Sequence, residues 1–270
     1  MSITVTDLQP TIGADVAIDQ ASLLAGAHAA RLRELLEQRG VLVFRGANLS
    51  DEQQVRLAAS LGRVRDEGQQ GIFKVTLDPQ QNAHADYLIG SFNWHIDGTH
   101  DEVPCLASLL SGRRLSPTGG QTEFANTYAA YEALSSSEQQ ELAGIRIVHT
   151  VESSQRAVHP NPSPEQLEGW RRFAPKTHPL VWAHRSGRKS LVLGSHASHV
   201  EGWPVEQGRA LIKRLLTWAT QPRFVYQHAW TVGDLLIWDN TGTMHRVVPY
   251  DVHSGRIMHR TTLLGEEALC

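Results

Sequence analysis

Leu235-Leu236-Ile237-Trp238-Asp239-Asn240-Thr241-Gly242-Thr243-Met244-His245 is the stretch on which the reading of the fold turns. It opens on an apolar run of strand length, passes through a polar turn, and enters a second expected strand over residues 244–248. Strands over 224–230 and 256–263 flank the pair, and further short apolar runs occur at 41–44, 72–75, 105–110, 121–124, 145–148, 180–182 and 190–193. Turn residues separate them, as in Pro117-Thr118-Gly119-Gly120 and Arg185-Ser186-Gly187-Arg188. Many short strands punctuated in this way predict an antiparallel barrel or jelly roll. Helices are expected at its flanks: over 21–38, ended by Gly40; from Ser50, whose pairing with Gln53 has the capping-box pattern, through Leu61; after Asn126; after Ser135-Ser136-Ser137; and over 204–219. The fold class is therefore mainly β with flanking helices. Residues 1–270 are read as one domain, and the proline-rich segment 152–177, with at most a short helix at 164–172, as its lid.

The same stretch delivers a histidine, and a second one lies about 150 residues upstream in Phe92-Asn93-Trp94-His95-Ile96-Asp97-Gly98-Thr99. In an extended strand the side-chain period is two, so His95 and Asp97 leave the backbone on one face and can grip one metal ion. His245 is the candidate third ligand. Two histidines and one carboxylate leave adjacent coordination positions open, which suits a non-haem Fe(II) oxygenase better than a closed structural zinc site. A lone H-x-D in a chain with 14 histidines has little specificity by itself. Support comes from Gly255-Arg256-Ile257-Met258-His259-Arg260-Thr261-Thr262-Leu263-Leu264, where strand parity puts Arg256, Met258 and Arg260 on one face. Arginine is rarely buried unpaired, so these two are expected to meet carboxylates, which a guanidinium grips in bidentate fashion. His259 points the opposite way and is left out.

Four segments resemble the taurine dioxygenase and 2,4-dichlorophenoxyacetate dioxygenase family of Fe(II)/2-oxoglutarate enzymes. They are Trp94-His95-Ile96-Asp97; Gly119-Gly120-Gln121-Thr122 running into Ala129-Ala130-Tyr131-Glu132-Ala133-Leu134; Ile237-Trp238-Asp239-Asn240 with His245; and Arg256-Ile257-Met258-His259-Arg260. Order and spacing both match, from about residue 90 to the C-terminus. The resemblance implies a double-stranded β-helix in which His95, Asp97 and His245 bind Fe(II). It further implies that Thr122 and Arg256 hold the distal carboxylate of 2-oxoglutarate, and that Arg260 lies near its other carboxylate or an anionic substrate. O2 is then the remaining cosubstrate, succinate and CO2 are released, and the expected outcome is hydroxylation of a small organic anion such as a phenoxyalkanoate or sulfonate, with ether cleavage as one form of it. Val64-Arg65-Asp66-Glu67-Gly68 lacks the histidine that taurine enzymes supply before the H-x-D motif.

Two other classes stay open on the residues alone. A zinc or manganese hydrolase could use the same triad, and a catalytically silent protein could keep the scaffold; the first leaves Thr122, Arg256 and Arg260 without a role. Gly194-Ser195-His196-Ala197-Ser198-His199-Val200-Glu201 and His100-Asp101-Glu102 offer rival H-x-E pairs without a third ligand of their own. No H-E-x-x-H and no G-x-S-x-G occurs. A formal charge of -3 and a pI near 6.5 give no support to nucleic-acid binding. No apolar run suggests a membrane span, Met1-Ser2-Ile3-Thr4-Val5 lacks a signal-peptide pattern, and Cys105 and Cys270 form no disulfide framework. A cytoplasmic enzyme with a small-molecule partner is expected, and homo-oligomerisation is left open.

Overall fold

The computed structural model describes residues 3–269; Met1, Ser2 and Cys270, on which parts of the leader and cysteine readings fall, lie outside them. A seven-stranded sheet runs in the order Thr4–Asp7, Ala14–Ala17, Val41–Phe44, Leu235–Asp239, Ala107–Arg114, Ile257–Leu263, Phe73–Val75. A three-stranded sheet, Val225–His228, Thr122–Asn126 and Thr243–Val247, faces it. Pairing is antiparallel except between Ala14–Ala17 and Val41–Phe44. The Leu235–Asp239 strand occupies the centre of the larger sheet and is buried at every position, which is why its sequence shows no polar alternation.

Parity divides that strand between two cores. Leu236 and Trp238 join Val41, Val43, Leu110, Met258, Phe124 and Tyr226 between the sheets. Leu235 and Ile237 instead pack against leucines of helices Ala29–Arg39 and Asp51–Leu61 on the outer face. A third core gathers around helix Val205–Ala219, helix Thr127–Glu132 and the strands Arg146–His149, Val181–Ala183 and Lys189–Leu191. The result is a jelly roll with flanking helices, as expected from the strand pattern.

Several local expectations are corrected. The helix read over 21–38 is two, Gln20–Leu24 and Ala29–Arg39, because Gly26 adopts a φ of +74° that an α-helix cannot continue through. The segment 152–177 holds more structure than a loop with one helix: Val151–Arg156 is helical, capped by the Thr150 side chain, Pro164–Arg171 is a second helix, and Lys176–Pro179 is a strand. Ala197–Val200, read only as a histidine pair, is a strand against Arg146–His149. Cys105 precedes its strand, which begins at Ala107. The capping box at Ser50 is present with both hydrogen bonds.

Candidate metal centre

His95 lies outside any regular strand; it forms an isolated antiparallel bridge to His245. The two residues exchange both backbone hydrogen bonds, His95 N to His245 O at 3.0 Å and His245 N to His95 O at 2.9 Å. Residues paired directly across a ladder project side chains on the same face, and the two imidazoles stand 4.1 Å apart between centroids. Asp97 sits two residues on, at the start of a turn made by Gly98. That glycine has φ +80°, and a Cβ there would lie 2.8 Å from Cys105 N. The H-x-D spacing thus works as expected, though in a bridge and turn rather than a strand.

One ligand atom from each of His95, Asp97 and His245 falls within 4.8 Å of the others, the only such group of three or more found among the described residues. His95 Nε2 is 3.7 Å from Asp97 Oδ1, and His245 Nε2 is 3.8 Å from Asp97 Oδ2. These spacings are too long for hydrogen bonds, and the lone-pair atoms share a centre that a cation fits. The Nδ1–H of His95 donates to Asn93 O at 2.9 Å, which leaves Nε2 as the nitrogen free to ligate. Burial pushes His245 down to about 3, with the nearby His95 acting the same way, so its imidazole is neutral and able to ligate at ordinary pH. Burial alone would raise the Asp97 carboxyl, but the charges around it, the Arg260 guanidinium among them, and the Ser108 hydroxyl outweigh it and hold the group ionised.

The carboxylate is held from both sides. Ser108 Oγ donates to Asp97 Oδ2 at 3.3 Å, Asn240 Nδ2 donates to Ser108 Oγ at 3.0 Å, and Trp238 Nε1 donates to Asn240 Oδ1 at 2.9 Å. On the other flank, Arg260 Nη1 lies 3.6 Å from Asp97 Oδ2. Trp238 and Phe124 also wall His245, at 4.7 and 6.2 Å between centroids. The rival stretch runs alongside: Ser195 N donates to Trp94 O at 2.7 Å, and His196 packs edge-on to His100 rather than entering the triad.

Thr122 and Arg256 belong to one corner. Thr122 is buried, pairs with Val247 and His228, and its Oγ1 accepts from Trp230 Nε1 at 2.9 Å. Arg256 is buried with 4% exposure, donates from Nη2 to Gly120 O at 3.2 Å and stacks 4.9 Å from the Tyr250 ring. Its Nε has no partner, and no carboxylate pairs with it among the described residues. Burial pulls its pKa below the usual arginine value, with Tyr250 opposing. Gly119 and Gly120, at φ +69° and +77°, allow the chain to pass this close, since a Cβ on Gly120 would meet Arg256 Nε at 3.1 Å. Parity holds on the last strand, for His259 points away to Asp51 at 2.7 Å. Trp230, Ser108 and Glu67, described below, carry no motif and were not found from sequence. A surface cavity of about 780 Å3 between helix Asp51–Leu61 and residues 68–83 contains none of the triad.

The jelly roll gathers two imidazoles and one carboxylate around one centre, the donor set of a non-haem metal site. The profile of the family described as "Taurine catabolism dioxygenase TauD, TfdA family" matches residues 4–262, and the chain belongs to that family. It is 36% identical over 291 residues to the alpha-ketoglutarate-dependent 2,4-dichlorophenoxyacetate dioxygenase of Cupriavidus pinatubonensis, covering 98% of this chain and 99% of that one. It is 32% identical to an alkylsulfatase of Acinetobacter baylyi, covering 94% of this chain and 83% of that one. Among solved structures, AAD-2 in complex with Mn(II) and N-oxalylglycine superimposes with a TM-score of 0.87 at 34% identity, over the whole of both chains. A taurine dioxygenase from Burkholderia xenovorans gives 0.80 at 28%, covering 99% of this chain and 91% of that one. The protein is a 2-oxoglutarate-dependent non-haem iron dioxygenase, and the hydrolase and silent-scaffold alternatives fall away.

Proposed function

We propose that His95, Asp97 and His245 hold Fe(II), that Thr122 and Arg256 hold the distal carboxylate of 2-oxoglutarate, and that Arg260 meets the anionic group of the primary substrate. The observation that carries this reading is Arg256. A buried guanidinium with no acidic partner and an idle Nε is costly unless an anion completes it, and the γ-carboxylate of 2-oxoglutarate has the right charge and planar geometry. When bound, the iron supplies oxygen activation coupled to decarboxylation of 2-oxoglutarate. The chain's own residues then have three tasks: keeping His95 in the Nε2-ligating tautomer through Asn93, fixing Asp97 between Ser108 and Arg260, and holding both carbon skeletons so that one C–H bond faces the metal.

The primary substrate is a small organic anion with an apolar or aryl body, a phenoxyalkanoate or a sulfonate, and oxidation beside an ether oxygen cleaves it. Relatives named for 2,4-dichlorophenoxyacetate, (S)-phenoxypropionate and sulfate esters support this class. Residues 1–270 act as one domain in the cytoplasm, and 152–177 serve as a lid. Two contacts support the lid: Gln155 Nε2 donates to Tyr87 O at 3.4 Å and His159 stands 3.5 Å from Asp86, both reaching the segment that leads into His95. No helix among the described residues is long and apolar enough to cross a membrane. A panel of phenoxyalkanoates, sulfonates, alkyl sulfates and neutral analogues, scored by substrate-dependent succinate formation, tests the class. Turnover of anions is expected; strong turnover confined to neutral compounds would overturn it.

A further inference from the structure

Arg260 is one cation between two carboxylates. Its Nη1 lies 3.6 Å from Asp97 and its Nη2 lies 3.5 Å from Glu67 Oε2. Glu67 is not free to swing aside. Its Oε1 accepts a 2.6 Å hydrogen bond from Thr262 Oγ1, one strand period beyond Arg260. On the N-terminal side Arg65 N donates to Thr262 O at 2.8 Å and Val64 bridges Leu263. On the C-terminal side a tight turn follows, in which Gln69 and Ile72 exchange backbone hydrogen bonds of 2.9 and 3.1 Å. Gly68 makes that turn possible at φ +62°, since a Cβ there would lie 1.9 Å from Ile72 O. The Glu67 side chain is only 17% exposed.

We propose that Glu67 is a specificity-determining residue: its fixed carboxylate shares the charge of Arg260 and so limits how strongly the pocket holds an anionic substrate. The inference rests on the reading of Arg260 given above. Once a metal takes up the charge of Asp97, Arg260 and Glu67 form a neutral pair, and an incoming anion adds an uncompensated charge to a partly buried site. Arg260 Nη2 donates one long hydrogen bond to Glu67 Oε2 at 3.5 Å, the 3.6 Å contact with Asp97 is no hydrogen bond, and Nε has no partner, so the guanidinium keeps donors for an anion, which binds against Glu67. Glu67 thereby acts as a repulsive element in recognition, which favours a weakly held single charge.

The test compares the wild-type holoenzyme with Glu67→Gln and Glu67→Asp on an aryloxyacetate and on its neutral primary amide, with 2-oxoglutarate KM measured alongside. Glu67→Gln is expected to lower the KM for the carboxylate by at least about fivefold while moving the amide and 2-oxoglutarate values by no more than about twofold. Glu67→Asp, which keeps the charge, should stay near wild type. A carboxylate KM that is unmoved or raised in Glu67→Gln, or that shifts together with the amide, would overturn the role of Glu67 alone. Failure of the wild-type protein to turn over any anion would overturn the substrate class and this role with it.

Discussion

At the scale of single residues, the two arginines of the last strand differ in what they lack. Arg260 already faces Asp97 and Glu67, whereas Arg256 has only a carbonyl and an aromatic ring. Arg256→Ala should therefore raise the KM for 2-oxoglutarate by roughly ten- to a hundredfold, the equivalent of about 1.5–3 kcal/mol for a hydrogen bond to a charged group, while Fe(II) binding persists. Trp230→Phe removes the donor that orients the Thr122 hydroxyl, and should raise the same KM by about fivefold, near the worth of a neutral hydrogen bond. Steady-state kinetics with 2-oxoglutarate varied at saturating Fe(II) checks both. The grouping of His95, Asp97 and His245 was legible in the sequence because its members sit in short motifs, whereas the roles expected of Thr122, Arg256 and Arg260 came from the family resemblance. Trp230 and Ser108 were not, since they meet Thr122 and Asp97 only through contacts made by folding: the Thr122 to Trp230 hydrogen bond spans 108 residues, and no local period encodes it.

Among elements, the hairpin that brings in His245 depends on a residue with no side chain. A Cβ at Gly242 would stand 1.7 Å from the Tyr128 ring, and Gly242 O accepts from Thr127 N at 2.9 Å at the start of helix Thr127–Glu132. Gly242→Ala must push this turn away from Tyr128, which would tilt Thr243–Val247 and separate His245 from His95. A loss of about 1–3 kcal/mol in urea unfolding is expected, together with weakened Fe(II) binding. The central strands were legible because burial on both faces leaves continuous apolar runs. Ser50 announced its helix through the capping box. The break at Gly26 was not legible, because leucines keep helical spacing across it. Neither was the Val151–Arg156 helix, which is too short for a periodic signal, nor Ala197–Val200, whose histidines obscured a strand pattern.

Across the whole molecule, the smaller half buries imidazoles that carry no charge. His149 is fully buried with neither ring nitrogen bonded, and burial pushes it down to about 3; His184, hydrogen-bonded to Ser190 Oγ, is pushed down to about 4. Both folded values lie below the ordinary histidine value, so the unfolded chain binds the extra protons. Stability is full above about pH 6.5 and falls as pH drops toward the folded values, by about 1.4 kcal/mol per pH unit for each group. Urea titrations between pH 7 and pH 5 should show this loss, and His149→Phe, which removes no hydrogen bond, should reduce the slope by about one proton. An unchanged slope in that variant would mean that His149 is not the neutral group inferred from its burial.

The central claim joins the two halves of the site: one triad holds the iron, and one buried arginine presents 2-oxoglutarate to it. The most direct measurement is an anaerobic titration of the metal-free protein with Fe(II) and then 2-oxoglutarate, followed in the visible range. A weak metal-to-ligand charge-transfer band should develop only after both are added, be lost in His245→Ala, and require more 2-oxoglutarate in Arg256→Ala. A wild-type protein that gives no band, or a band that survives His245→Ala at full strength, would contradict the account.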